Sequence, residues 1–328
     1  MSFGSKNEQQ GNCIFCRGPL NGSREHIIPA SLNGRITSRK LICSDCNNFF
    51  GRKIDPVIKE VLNPLLLAFG FENASTIHFE DGQKQKWRLN KDLSFVPLKP
   101  IVEIHEGEKE KLLTIQGTEE QIKSIVEKTN KKLAPRNIRV TPKDIPQYFS
   151  PYAEQFRFPL SINTDDLRLH SFFAKIALEF AGHFGVEYIY IEQLCIKVRN
   201  MEANPVKFCN FYNEIRDFDG ARLTHLLVVR NEGPILYVYI ELFNIVCALV
   251  VLSRTYSGKK IKEFYHQDAL TGERIIGTIK FKKNILQMLS DSSKNDNFER
   301  LINLSSDRLK EKKLLDTLKI GVQKVMDV

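Results

Sequence analysis

Cys13-Ile14-Phe15-Cys16, Glu25-His26-Ile27-Ile28-Pro29 and Cys43-Ser44-Asp45-Cys46-Asn47-Asn48 lie within one short, polar segment of the chain. Two Cys-x-x-Cys pairs can supply four thiolates, the full ligand set of a closed tetrahedral zinc site. A single such pair also reads as a redox dithiol, but two pairs separated by 26 residues favour metal. Four protein ligands leave no open position for water or substrate, so this zinc is structural. Chemistry then falls to Glu25, His26 and Asn47 beside it. Carboxylate and amide oxygens suit one hard divalent cation, and a neutral imidazole suits a general base. Two alternatives stay open at this level. His26 could ligate metal itself, and Asn48 could exchange roles with Asn47.

Outward from this segment, the 328 residues carry a formal net charge of +9 and a pI near 9.1, with 42% hydrophobic and 27% charged residues. These proportions fit a soluble globular chain of about two domains. The basic balance favours polyanionic partners. No apolar run is long enough to cross a bilayer, and the polar start lacks the apolar core of a signal peptide. A cytoplasmic protein with no membrane partner is expected. Cys195, Cys209 and Cys247 stand singly in apolar surroundings, as buried thiols do.

Four parts are expected along the chain: a disordered N-terminus (1–11), a metal module with a docking helix (12–74), a small α+β region (75–160) and a C-terminal α+β domain (161–328). Within the module, Arg24 to Ile28 reads as a short strand and Arg39 to Cys43 as a second. Ser44 reads as the cap of a helix running toward Ile54. Leu32-Asn33-Gly34 marks a turn. Too small to bury its own core, the module needs metal in place of much of it. Val57 to Phe71 has helical apolar spacing. Residues 75–117 alternate as an antiparallel sheet, with turns at Asp81-Gly82 and near Glu106-Gly107. Thr118-Glu119-Glu120-Gln121 opens a helix to about Lys132 through a capping box. Residues 133–160 read as a linker. An apolar helical stripe, Leu169 to Phe180, is followed by strands at Leu223–Arg230, Ile235–Leu242 and Ile245–Ser253, then by a lysine-rich terminal helix, Asp307–Val325. His170, Lys175 and His183 lie on or beside the stripe. They permit a ligand-sensing role, but core or surface positions are the simpler expectation for all three.

Glu25-His26-Ile27-Ile28-Pro29, followed by Ile42-Cys43-Ser44-Asp45-Cys46-Asn47-Asn48-Phe49-Phe50-Gly51, resembles the HNH endonucleases of the zinc-bearing ββα-metal type. The nearest resemblance is to a bacterial subfamily whose last motif reads Cys-Asn-Asn-x-Phe-Gly. The resemblance implies an N-terminal ββα-metal fold. It implies Cys13, Cys16, Cys43 and Cys46 as structural zinc ligands, His26 as general base, and Glu25 and Asn47 as ligands of a catalytic Mg2+ or Mn2+. Two departures stand out. The family often has Asp where this chain has Glu25. The middle Asn, which orients the catalytic His, should fall near Ser38, which would then have to hold His26 through its hydroxyl or carbonyl.

Metal-assisted hydrolysis of DNA phosphodiesters is therefore the expected activity, with RNA as the open alternative substrate. Arg24, Arg35, Arg39, Lys40, Arg52 and Lys53 surround the site and are candidates to hold backbone phosphates. Backbone contacts read no sequence, so recognition or regulation is expected from residues 75–328 or from a partner subunit; double-strand cleavage with one catalytic metal site per chain would favour a homodimer, and the resemblance alone implies a setting in anti-phage defence or a mobile element. The competing class is an inactive zinc module that binds nucleic acid without cutting it.

Overall fold

The computed structural model describes residues 11–80, 84–91, 95–106, 111–136, 165–202, 206–208, 216, 222–244 and 246–291. Residues 1–10, most of the expected linker, the turn at Asp81-Gly82, the turn from Gly107 onward, Cys209 and the expected terminal helix lie outside them. The chain is mixed α and β, and every strand pairing among the described residues is antiparallel. Two compact units are formed: Met1–Leu62 with Leu160–Lys312, and Asn63–Pro159 with Lys313–Val328.

The first unit begins with the cysteine segment. Strands β1 (Glu25–His26) and β2 (Thr37–Ser38) pair with Glu25 opposite Ser38 and His26 opposite Thr37. The second strand therefore precedes the expected Arg39–Cys43 stretch. Pro29 starts the connection between the strands, a turn closed by Leu32 N–H and Gly34 N–H donating to the Pro29 carbonyl. Asn33 adopts a left-handed φ of 61° in this turn. Gly34 is required beside it, because an added Cβ would lie 1.9 Å from the Ile28 carbonyl oxygen. Helix α1 (Ser44–Lys53) follows, with Cys43 rather than Ser44 at its N-cap. Ser44 is instead the first helical residue. Asn21 satisfies it, accepting from Ser44 N–H at 3.0 Å and donating to Ser44 Oγ at 2.6 Å. Helix α2 (Asp55–Ala68) begins one residue later.

The second unit holds the segment expected as a single sheet over 75–117. That segment forms two sheets: a three-stranded one of β3 (Ile77–Glu80), β4 (Lys86–Leu89) and β5 (Phe95–Pro97), and a hairpin of β6 (Ile101–Glu106) and β7 (Lys111–Gln116). Helix α3 (Glu119–Leu133) has the expected capping box, with Gln121 N–H on Thr118 Oγ1 and Thr118 N–H on Gln121 Oε1.

The remainder of the first unit is a helix on a sheet. Helix α4 (Leu167–His183), capped by Asp166, is buried at every residue from Leu169 to Ala181. Helix α5 (Glu192–Arg199) follows, then β8 (Val206–Phe208), β9 (Thr224–Glu232), β10 (Ile235–Leu242), β11 (Val246–Ser253), β12 (Lys262–Asp268) and the short α6 (Ile285–Asp291). The sheet order is β12-β9-β10-β11-β8. Strand residues alternate between faces. Leu226, Val228, Tyr237, Tyr239, Cys247 and Leu249 form one apolar layer, packed with Ile285 and Met288 of α6. The alternate residues, including Leu227, Val229, Val238 and Ile240, are buried too and are left for α4.

A helix buried all round must serve two partners. Phe173 packs on Phe208 of β8, ring centroids 5.6 Å apart. Lys175, Glu179 and Gly182 recur at four- and three-residue spacing on another face. A Cβ on Gly182 would lie 3.1 Å from Leu41 Cδ2 and 3.9 Å from Ile14, so this face abuts the cysteine module.

Candidate nuclease site

The four cysteine sulfurs lie within 4.8 Å of one another. Cys16 and Cys43 Sγ are 3.6 Å apart, far beyond disulfide length. Sulfurs held about 2.3 Å from a tetrahedral zinc sit about 3.8 Å from each other, so the observed spacing fits that ion. As bare thiols the four compete. Hydrogen bonding from Cys46 lowers Cys13 to about 4, and Cys46 is pushed up in return. A divalent cation would remove the conflict by stabilising every sulfur as thiolate. Local structure sets the geometry: Cys13 and Cys16 lie on a turn closed by Arg17 N–H donating to the Cys13 carbonyl, with Arg17 at φ 62°, and Cys43 and Cys46 span the start of α1. Phe50, one helical turn beyond Cys46, packs its ring 4.6 Å from that of Phe15.

Glu25 and His26 come next on β1, where neighbours point to opposite faces. Glu25 is only 3% exposed. Its Oε1 accepts from Lys175 Nζ of α4 at 2.6 Å. Lys175 also lies 3.3 Å from Asp55 Oδ1 and 3.6 Å from Glu179 Oε1. Burial opposes the Lys175 charge, but the three carboxylates outweigh it and hold the ammonium above its ordinary pKa. Three carboxylates around one ammonium cannot all stay ionised cheaply. Burial first, and then the charge of Glu25, pushes Glu179 well above the usual carboxylate range. Neither Glu179 oxygen has a hydrogen-bond partner among the described residues, the Lys175 ammonium being 3.6 Å from Oε1. Burial raises Glu25 as well, against the pull of Lys175.

His26 is half-buried. Burial, then the charges of Arg24, Lys175 and Arg35, lowers its pKa and favours the neutral ring. No hydrogen bond reaches that ring among the described residues. Ser38 pairs with Glu25, and its hydroxyl instead accepts from Lys40 N–H at 3.2 Å. Asn47 sits beside the entry to β1: its Nδ2 donates to Ser23 Oγ at 3.0 Å and to the Arg24 carbonyl at 3.3 Å. Oδ1 takes no hydrogen bond among the described residues, whereas Asn48 is exposed.

All six candidate basic residues are exposed. Arg39 reaches back to the Gly22 carbonyl, Arg52 to that of Asn48, and the Arg35 stem lies over Gly272. Other contacts to the module were not anticipated. His225 of β9 and Gln267 of β12 face each other in register and so share a sheet face. His225 Nε2 meets the Leu32 carbonyl at 2.8 Å. Gln267 donates to Asn33 O at 2.8 Å and accepts from Arg35 N–H at 3.1 Å. Together they grip the turn between β1 and β2. The one sequence signal for the Lys175 cluster was Lys175-x-x-x-Glu179, two opposite charges inside an apolar stripe.

No helix among the described residues is long and apolar enough to cross a membrane. No curated protein and no solved structure matches the chain. Residues 13–63, however, match the family model described as HNH endonuclease, so the segment that holds the cysteine cluster, Glu25, His26 and Asn47 is an HNH endonuclease domain.

Proposed function

We propose that the protein is a divalent-metal-dependent endonuclease that hydrolyses DNA phosphodiester bonds, with His26 as the general base and Glu25 and Asn47 as the cation ligands. The observation that carries this reading is the placement of Asn47 against the start of β1, where its Nδ2 bonds Ser23 and the Arg24 carbonyl and so holds the amide beside the strand bearing Glu25 and His26. Glu25 Oε2, which takes no hydrogen bond among the described residues, is a spare hard oxygen. That donor set suits Mg2+ or Mn2+, which keep several waters and take few protein oxygens. Such a cation, when bound, supplies positive charge to the scissile phosphate and the leaving 3′-oxygen.

The protein's own part is then proton transfer and positioning. A neutral His26 ring nitrogen takes the proton of the attacking water. Burial and neighbouring positive charges favour that neutral form. Exposed Arg24, Lys40, Arg52 and Lys53 can hold backbone phosphates on either side, which gives affinity without reading bases. The zinc cluster fixes the start of α1, and hence Asn47, relative to β1.

A second reading, a zinc module that binds nucleic acid but does not cut it, is favoured by two observations: the burial of Glu25 under Lys175, and a His26 ring that nothing orients among the described residues. Plasmid nicking with Mg2+ or Mn2+, compared with His26→Ala, separates the two. Nicking by the wild type and none by the variant supports the nuclease. Metal-dependent nicking by neither, with salt-sensitive DNA binding by both, supports the binding module.

A further inference from the structure

Lys175 lies 150 residues beyond Glu25 and outside the segment that matches the HNH family, yet it makes the hydrogen bond that fixes the Glu25 carboxylate. Its own position is tightly set. The side chain is fully buried, Asp55 and Glu179 lie within 3.6 Å of its ammonium, and α4 is walled by the sheet on its other side. The contact uses one carboxylate oxygen only. Oε1 accepts at 2.6 Å, and Oε2 accepts from nothing among the described residues. An exposed Glu on a two-residue strand would rotate among several rotamers, at an entropic cost whenever a cation bound. Here the carboxylate is held by a fully buried ammonium that has two further carboxylates beside it.

We propose that Lys175 is a positioning residue for the cation site: it locks Glu25 through Oε1 so that Oε2 is the oxygen presented to the divalent cation. This rests on the reading of Glu25 as a cation ligand. It makes the HNH segment incomplete by itself, since α4 of the C-terminal region supplies the group that sets one ligand. Outer partners of this kind hold metal-binding carboxylates in other sites, and losing one typically weakens metal affinity about 10–100-fold.

The test is Mn2+ binding to the full-length, zinc-loaded protein, followed by electron paramagnetic resonance of the free ion. Lys175→Met alone would strand buried carboxylates, so it is combined with Glu179→Gln, which keeps position 179 neutral and offers an amide N–H to the remaining carboxylates in place of the ammonium. Relative to Glu179→Gln alone, the double variant should bind Mn2+ about 10–100-fold more weakly, with zinc content and circular dichroism unchanged. Equal binding overturns the proposal, and so does tighter binding, which would make Lys175 a competitor of the cation. If the double variant does not fold, Lys175→Arg carries the test. Its guanidinium keeps the charge but grips both carboxylate oxygens, so the folded variant should lose Mn2+ affinity. Wild-type affinity in that variant overturns the proposal. Glu25→Ala separates the two levels: if it binds Mn2+ like the wild type, the reading of Glu25 as a ligand fails, whereas loss in Glu25→Ala alone sinks only the role of Lys175.

Discussion

Glu25 and His26 are neighbours in the chain and live in different surroundings, because β1 turns one inward to Lys175 and leaves the other half-exposed. That division suits a ligand and a base. His26→Ala should reduce cleavage by about two to four orders of magnitude, while zinc content and DNA affinity in chelator stay near wild type; a single-turnover nicking assay measures this. The base works only when neutral. Its pKa is lowered, so activity should persist below the ordinary histidine range and fall only at more acidic pH. An acid limb above the ordinary histidine pKa, in a pH profile of cleavage, would assign the base elsewhere.

At the scale of elements, the short strands and α1 depend on ties other than their own ladders. Two residues of pairing cannot hold β1 to β2. The four-cysteine cluster, which could hold zinc, lies at one end of the module, and the grip of His225 and Gln267 on the Leu32–Arg35 turn holds the other. Cys43→Ser removes a thiolate at the start of α1 and should release the metal. Hydrogen exchange should then rise across residues 12–55, while β9, β10 and β11 keep their protection, since the layer they form with α6 contains none of the four clustered cysteines. Uniform loss of protection over both parts would mean that zinc supports the whole unit.

Two properties belong to the whole molecule. Charge is one: a net +9 favours DNA by counterion release, and removing one phosphate-binding cation lowers the salt slope by about one. Arg52→Ala with Lys53→Ala should therefore weaken binding on all sequences alike and flatten the slope by about two, as read from titrations at several salt concentrations in chelator. Acid stability is the other. His225 is completely buried: its Nδ1 accepts from Phe243 N–H at 3.3 Å and its Nε2–H donates to Leu32 O at 2.8 Å, a pattern only the neutral ring can make. Burial lowers its pKa from 6.5 to about 4. The unfolded chain thus takes up a proton before the folded one does. The stability from this group is complete above pH 6.5 and is lost as pH falls toward 4, on the order of 3 kcal/mol in all. His225→Gln should flatten that acid loss in urea titrations at successive pH values.

The clustering of the four cysteines was legible in the sequence because metal-ligand geometry ties residue type to spacing. So were the capping box at Thr118 and the three long strands, whose alternating or continuous apolar runs fix their period. Placement of β2 was not, since Thr37 and Ser38 carry no strand signal of their own and are fixed by register against β1. The partners of Lys175 were equally hidden. A lysine in an apolar stripe reads as a core or surface oddity until the fold brings Glu25 and Asp55 to it from 150 and 120 residues away. Local chemistry is written in neighbouring residues, but the partner of a buried charge is chosen by packing, and only the tertiary structure sets that.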